Sequence, residues 1–204
     1  MSDTLTLPLV FDAADKLRHV EHTAVVRVEV ENAGAPDIFA DVHDLWLTSP
    51  QWRPLRETVE LLLATEDWVE AVVAINLVLE PLIGHFLRNE YLRPAAERNG
   101  DRFIPLIAQA WAADAERARA WTDALVHHLV TDSVHGTSNR QLVRRWILTW
   151  RQRAEDSAKT LTDLPANAPD APPADESRWR DVLDRYDATA ADKWGLVTTS
   201  GASL

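Results

Sequence analysis

The chain has 204 residues, 46% of them hydrophobic and 26% charged, which is enough for one domain with its own core. Its net charge of -11 disfavours nucleic acid as a partner, because phosphate binding needs a basic footprint. With no cysteine, the sequence excludes disulfides, thiolate metal sites and cysteine nucleophiles, and fits a cytoplasmic protein.

The segment 1–12 is expected to be irregular and lacks the basic-then-apolar layout of a signal peptide. A helical-bundle domain is expected over 13–163. Ala13 to Glu31 reads as its first helix, with Leu17, Val20, Ala24, Val25 and Val28 on one face, ended by Gly34 and Pro36. Asp37 to Leu47 can form a short helix, and Ser49 with Pro50 is an N-cap pattern opening a helix through Leu63. Thr65, Glu66 and Asp67 precede a long helix from Trp68 to Asp101 that is apolar nearly all round in its first half, so it should lie inside the bundle. Asn76 and Glu80 interrupt it one turn apart on one face, before the apolar run reaches the roughly 20 residues of a membrane span. Pro81 predicts a kink, and Gly100 closes the helix.

Ile104, Ile107, Trp111, Ala118, Trp121, Leu125 and Leu129 mark the buried stripe of the next helix. A loop at 134–138 leads into another, from about Asn139 to Leu161, with Leu142, Trp146, Trp150 and Ala154 inside. Residues 164–175 read as a proline–alanine linker, 176–194 as a C-terminal helix carrying Trp179, Leu183 and Tyr186, and 195–204 as a disordered tail. Six glycines argue against a sheet-rich fold, and nine tryptophans suit extensive helix packing or a large subunit interface. The class is all-α, an antiparallel bundle with long core helices.

Such bundles build carboxylate-bridged dimetal sites from Glu-x-x-His on two helices, because a spacing of three places both ligands on one face. That pattern does not occur here. Glu80 and His85 are five apart, which separates them by about 140° on an ideal α-helix, and no histidine follows Glu57 and Glu60 at Leu63. Glu60, Glu80 and His85 remain the set from which a degenerate metal site would have to be built. His19 and His22, beside Glu21, share a face and could hold a metal, but are better read as a solvated polar face or as histidines bonding across to another helix. His127 and His128 suit a helix C-terminus, and Asp41, His43 and Asp44 a surface. Arg140, Arg144, Arg145, Arg151 and Arg153 form a basic face suited to protein contact or salt bridges. No phosphate loop, nucleotide fingerprint, zincin motif or serine elbow is present.

Trp46, Pro50, Trp52, Pro54, Leu55, Arg56, Glu57, Val59 and Glu60 form one word. Asp67, Trp68 and Glu70 follow, then Ala74, Asn76, Leu77, Val78, Glu80, Pro81 and Leu82, then Asn99, Gly100 and Asp101. In this order the series resembles the β subunit of the hydroxylase in soluble di-iron monooxygenases of the propane, phenol, toluene and methane type. Weaker similarity runs from Phe11 to Leu164. The resemblance implies a ferritin-like bundle without iron ligands, scaffolding a catalytic α subunit that holds the di-iron centre. It also implies a separate reductase supplying electrons from NAD(P)H, a small effector protein, and hydroxylation of a small hydrocarbon by the complex. Family β subunits are usually longer, so this chain is expected to lack their N-terminal extension. On this reading the chain has no catalytic residue or cofactor of its own. Asn76, Glu80 and Arg56 are buried structural polar groups, with Asn76 and Glu80 satisfied by backbone freed at Pro81 and by a neighbouring helix such as that of Arg56. Trp46, Trp52, Trp68, Arg144 and Arg145 are candidate subunit contacts. A stand-alone metal-binding oxygenase and a helical interaction module are the alternatives.

Overall fold

The computed structural model describes residues 3–35, 39–162 and 176–194. The expected linker, the tail and the Pro36 stop signal lie outside these residues. Seven helices account for the described architecture: α1 (Asp3–Asn32), α2 (Val42–Thr48), α3 (Arg53–Leu63), α4 (Trp68–Arg98), α5 (Phe103–Val130), α6 (Gly136–Leu161) and α7 (Glu176–Trp194). No strand forms among the described residues.

Helix α4 is the centre. Val73, Ala74, Leu77, Val78, Leu82 and Phe86 have no exposed surface, and they pack on Trp146, Ile147, Trp150, Ala154 and Ala158 of α6 and on Trp179, Val182 and Tyr186 of α7. The Phe86 and Trp179 rings meet edge to face, 5.5 Å apart. By length and composition alone α4 is apolar enough to cross a bilayer, because Asn76 and Glu80 do not shorten the run as far as expected. In the fold that apolar surface is spent on the bundle core.

Its ends follow the sequence. Asp67 caps the start, accepting from the Val69 and Glu70 amides at 2.9 and 3.4 Å. Gly100, at φ 72°, provides the left-handed residue that ends it. Its middle differs. In place of a plain α-helix, Ala74–Gly84 and Phe86–Leu92 wind as π-helix, continuing into an α-helical turn at Arg93–Arg98. Pro81 has no amide to give in either winding, and the wider i to i+5 turn carries the chain past it without ending the helix. Gly84 is required by this geometry: a Cβ there would stand 2.8 Å from the Glu80 side-chain carboxyl carbon, so Glu80 lies folded over the bare backbone.

Two further boundaries differ from expectation. Helix α3 starts at Arg53, with Pro54 in its first turn. A helix running on from Pro50 would meet the missing amide of Pro54, so Ser49 to Trp52 form a turn in which the Trp52 amide donates to the Ser49 carbonyl at 3.2 Å. Helix α1 starts at Asp3, ten residues before the expected Ala13. The irregular reading fails over 3–12, where the helix runs through Pro8 and Asp12 belongs to its packed face.

That face is the larger correction. Leu17, Val20, Ala24, Val25 and Val28 point outward, with Leu17 67% and Val20 65% exposed, and the one buried residue of α1 is Asp15. From Asp12 to His22 the helix lies against the bundle by its polar side, with Leu5, Leu9, Val26 and Val30 half-buried towards its two ends.

Gly84→Ala is expected to destabilise the chain by about 1–3 kcal/mol, because it displaces a carboxylate from its buried cations. An exposed mid-helix glycine would instead gain about 1 kcal/mol from the same change. Urea unfolding of the two proteins measures the difference.

Candidate functional site: a buried ionic layer and an outward apolar face

Asn76 is 1% exposed. Its amide donates to the Asp12 carboxylate at 3.0 Å and to the Thr122 hydroxyl at 3.1 Å, and that hydroxyl donates to the Ala118 carbonyl at 2.8 Å. One turn along α4, the Glu80 carboxylate accepts from Arg88 at 2.6 Å and from Lys16 at 3.4 Å. Burial alone raises the Glu80 carboxyl, but the charges of Lys16 and Arg88 outweigh it and hold the carboxylate below its usual range.

These partners differ from those expected. Arg56 does not reach Glu80. It donates to the Trp46 carbonyl at 3.0 Å and to that of Leu47, satisfying the C-terminal carbonyls of α2, and lies 3.5 Å from Glu60.

A second cluster joins α1 to α5. Asp114 accepts from Arg18, from His19 at 2.9 Å and from Arg117 at 2.9 Å, and Asp15 accepts from Arg117 with Arg18 at 3.0 Å. Burial would raise the Asp114 carboxyl, yet the three donors bring it down to about 2. Burial lowers His19 in spite of its bond to Asp114, so the neutral ring donates there through Nε2. His22 accepts the Trp111 indole N–H at 3.0 Å, and the Trp111 ring also stands 4.9 Å from that of His19. His19 and His22 do share a face, and both bond across to α5, while Glu21 is exposed. Asp41, His43, Asp44, His127 and His128 are exposed as well.

The π winding overturns one geometric expectation. Residues five apart stack on a π-helix, and Glu80 and His85 line one cavity instead of diverging. Glu60 does not join them, being exposed on α3 beside Arg56. No three His, Asp or Glu side chains converge as a metal-holding group among the described residues. The chemistry of the layer also opposes one: an ammonium and a guanidinium already neutralise Glu80, and two guanidinium groups bridge Asp15 and Asp114. A di-iron donor set does not fit these residues.

Outside this layer, the apolar residues of α1 extend from Leu7, Val10 and Phe11 to Val28, and α2 adds exposed Val42, Leu45 and Leu47. Trp46 and Trp52 pack on each other 6.3 Å apart, Trp52 also touching the core, while Trp68 is partly exposed and Arg144 and Arg145 are exposed on α6. Of the basic face, Arg151 is paired with Asp187 and Glu155, Arg153 lies 5.7 Å over the Trp150 ring, and Arg140 donates to the Val130 carbonyl. Sequence reasoning missed Asp12, Asp15, Lys16, Arg88, Asp114 and Arg117. The signal existed: Asp12, Asp15, His19 and His22 recur at helical spacing as regularly as the apolar stripe beside them.

Residues 1–133 match the family model described as methane/phenol/alkene hydroxylase. The hydroxylase small subunit of propane 2-monooxygenase from Gordonia sp. (strain TY-5) is 33% identical over 153 residues, 75% of this chain and 42% of that protein. The hydroxylase subunit beta of the toluene-4-monooxygenase system from Ectopseudomonas mendocina is 33% identical over 165 residues, covering 80% and 49%. The chain thus spans less than half the length of these curated relatives. Among solved structures, a chain of toluene 4-monooxygenase with toluene bound in its resting active site superposes with a TM-score of 0.67 at 32% identity, over 76% of this chain and 50% of that one. The bundle is therefore ferritin-like.

The shifts fix how stability responds to acid. His19 and His85 bind a proton less readily folded than unfolded, so the unfolded chain gains protons first as pH falls below about 6.5. Asp114 is depressed, so its contribution is present above 3.8 and lost as pH falls towards about 2. Urea midpoints are expected to drop below pH about 6.5 and again below about 4. A midpoint that rises between pH 7 and 5.5 contradicts this.

Proposed function

The chain belongs to the methane/phenol/alkene hydroxylase family, and on that premise we propose that it is a non-catalytic β-type subunit scaffolding the catalytic α-type subunit of a hydrocarbon monooxygenase. The di-iron centre and the substrate pocket reside in that partner. A reductase supplying electrons from NAD(P)H and a small effector protein complete the system, which inserts one oxygen atom of O2 into a small hydrocarbon.

The observation that carries the reading is the orientation of α1. A helix with a regular apolar stripe normally buries it; here the stripe faces out and the polar side faces in. A contiguous apolar face of this kind marks a protein interface, and with α2 it offers a surface for a large helical partner. The ionic layer supports the same division of labour, because cations neutralise the interior carboxylates that a metal would otherwise use.

Co-expression with an α-type subunit of the same family tests the reading. The two chains are expected to co-purify, and Val20→Asp with Val28→Asp is expected to weaken the complex by about 100-fold while leaving the circular dichroism of the isolated chain unchanged. The isolated chain is expected to hold no stoichiometric iron. A chain that stays apart from the α-type subunit, or that carries two irons by elemental analysis, overturns the proposal.

A further inference from the structure

A cavity of about 340 Å³ opens between α4, α5 and α7, against the π-helical segment. We propose that it binds a small organic carboxylate. The inference stands on the lining residues alone and does not depend on assembly with a partner.

The charge in the cavity is unbalanced. Arg88, Arg119 and Arg185 line it against Glu80 and Glu116. Immediately behind, Lys16 pairs with Glu80 and Glu90 pairs with Arg185, which cancel each other and leave one positive charge in excess. Arg119 has no carboxylate or other hydrogen-bond partner among the described residues. Arg119 is thus the cation of the lining left for an anion to pair with.

Donors without acceptors point the same way. Arg88 gives one nitrogen to Glu80, but its Nε is buried with no partner, and so is the Tyr186 hydroxyl. Both side chains line the cavity, but these two atoms lie beneath its surface and must turn outward to meet a ligand. Burial keeps the Tyr186 phenol protonated, its pKa well above the ordinary value, so it remains a donor. Unsatisfied buried donors are rare in folded proteins, and each calls for an explanation. A carboxylate brings two oxygens with about four acceptor positions and forms strong charge-assisted bonds to guanidinium groups.

The rest of the lining selects an organic acid over an inorganic one. Pro81, Ala112, Ala115 and Val182 form an apolar wall, which a hydrocarbon tail covers and a phosphate ion does not. The volume is at the low end of ligand cavities, so the acid is small.

Isothermal titration calorimetry of the full chain with benzoate, butyrate and inorganic phosphate tests the site. Benzoate or butyrate is expected to bind saturably at one site. Arg119→Gln is expected to weaken it by about tenfold or more. Tyr186→Phe is expected to weaken it severalfold without lowering the thermal midpoint, since the lost hydroxyl makes no bond in the free protein. Arg144→Gln, an exposed cation on α6 outside this cavity, is expected to change nothing. Absence of saturable carboxylate binding overturns the proposal. So does phosphate binding as tight as either acid, or an equal loss in Arg119→Gln and Arg144→Gln.

Discussion

A carboxylate cannot be taken into a bundle core without a cation, and the neutralisation of Glu80 is the constraint on which the rest of this structure hangs. Its side chain lies folded over Gly84 on the central helix, within reach of Arg88 from the same helix and Lys16 from α1. To deliver Lys16, α1 must turn its polar side inward. Asp12 then reaches Asn76, Asp15 and His19 meet α5, and the apolar residues between them are left on the outside. An exposed Val20 and a buried Glu80 are therefore two consequences of one arrangement. Charged hydrogen-bonded contacts of this kind specify a register more than they stabilise it. That suits a helix whose other face is proposed to dock on a partner chain.

The same layer gives the functional reading a physical content beyond resemblance. Helical bundles of this type position inward carboxylates and histidines on facing helices, and this chain still presents Glu80, Asp15, Asp114 and His19 to its interior. Lysine and arginine side chains occupy the counter-charge role there. The bundle keeps its shape without offering a metal its ligands, which is what the proposed scaffolding role asks of it.

Much of the fold was legible because it rests on simple periodicities. An apolar run from Ala71 to Leu79, broken only at Asn76, reads as a core helix, and the tryptophans at 146, 150 and 179 pack as their spacing implies. Asn76 and Glu80 were recognisable as buried polar groups, but their partners were not, because Lys16 is 64 residues away from Glu80 in the chain. The π winding was hidden as well: Pro81 announces a disturbance in an α-helix, and nothing local says whether the chain kinks or widens. The orientation of α1 was hidden for a different reason. Periodicity shows two faces, one apolar and one carrying Asp12, Asp15, His19 and His22, without saying which meets the bundle. Apolar-inward is the default, and it failed because the polar face of α1 finds its partners in Asn76 and Glu80 of α4 and Asp114 and Arg117 of α5.

Because the chain contains no cysteine, single cysteines report the orientation of α1 without background. Thiol labelling rates at Val20→Cys and Val28→Cys, compared with Leu77→Cys, test the account most directly, first in the isolated chain and then with the α-type subunit bound. The account predicts rapid labelling of both α1 positions in the isolated chain, protection of both in the complex, and slow labelling of the α4 position throughout. Protection of Val20→Cys and Val28→Cys in the isolated chain would show that α1 buries its apolar stripe, and would contradict it.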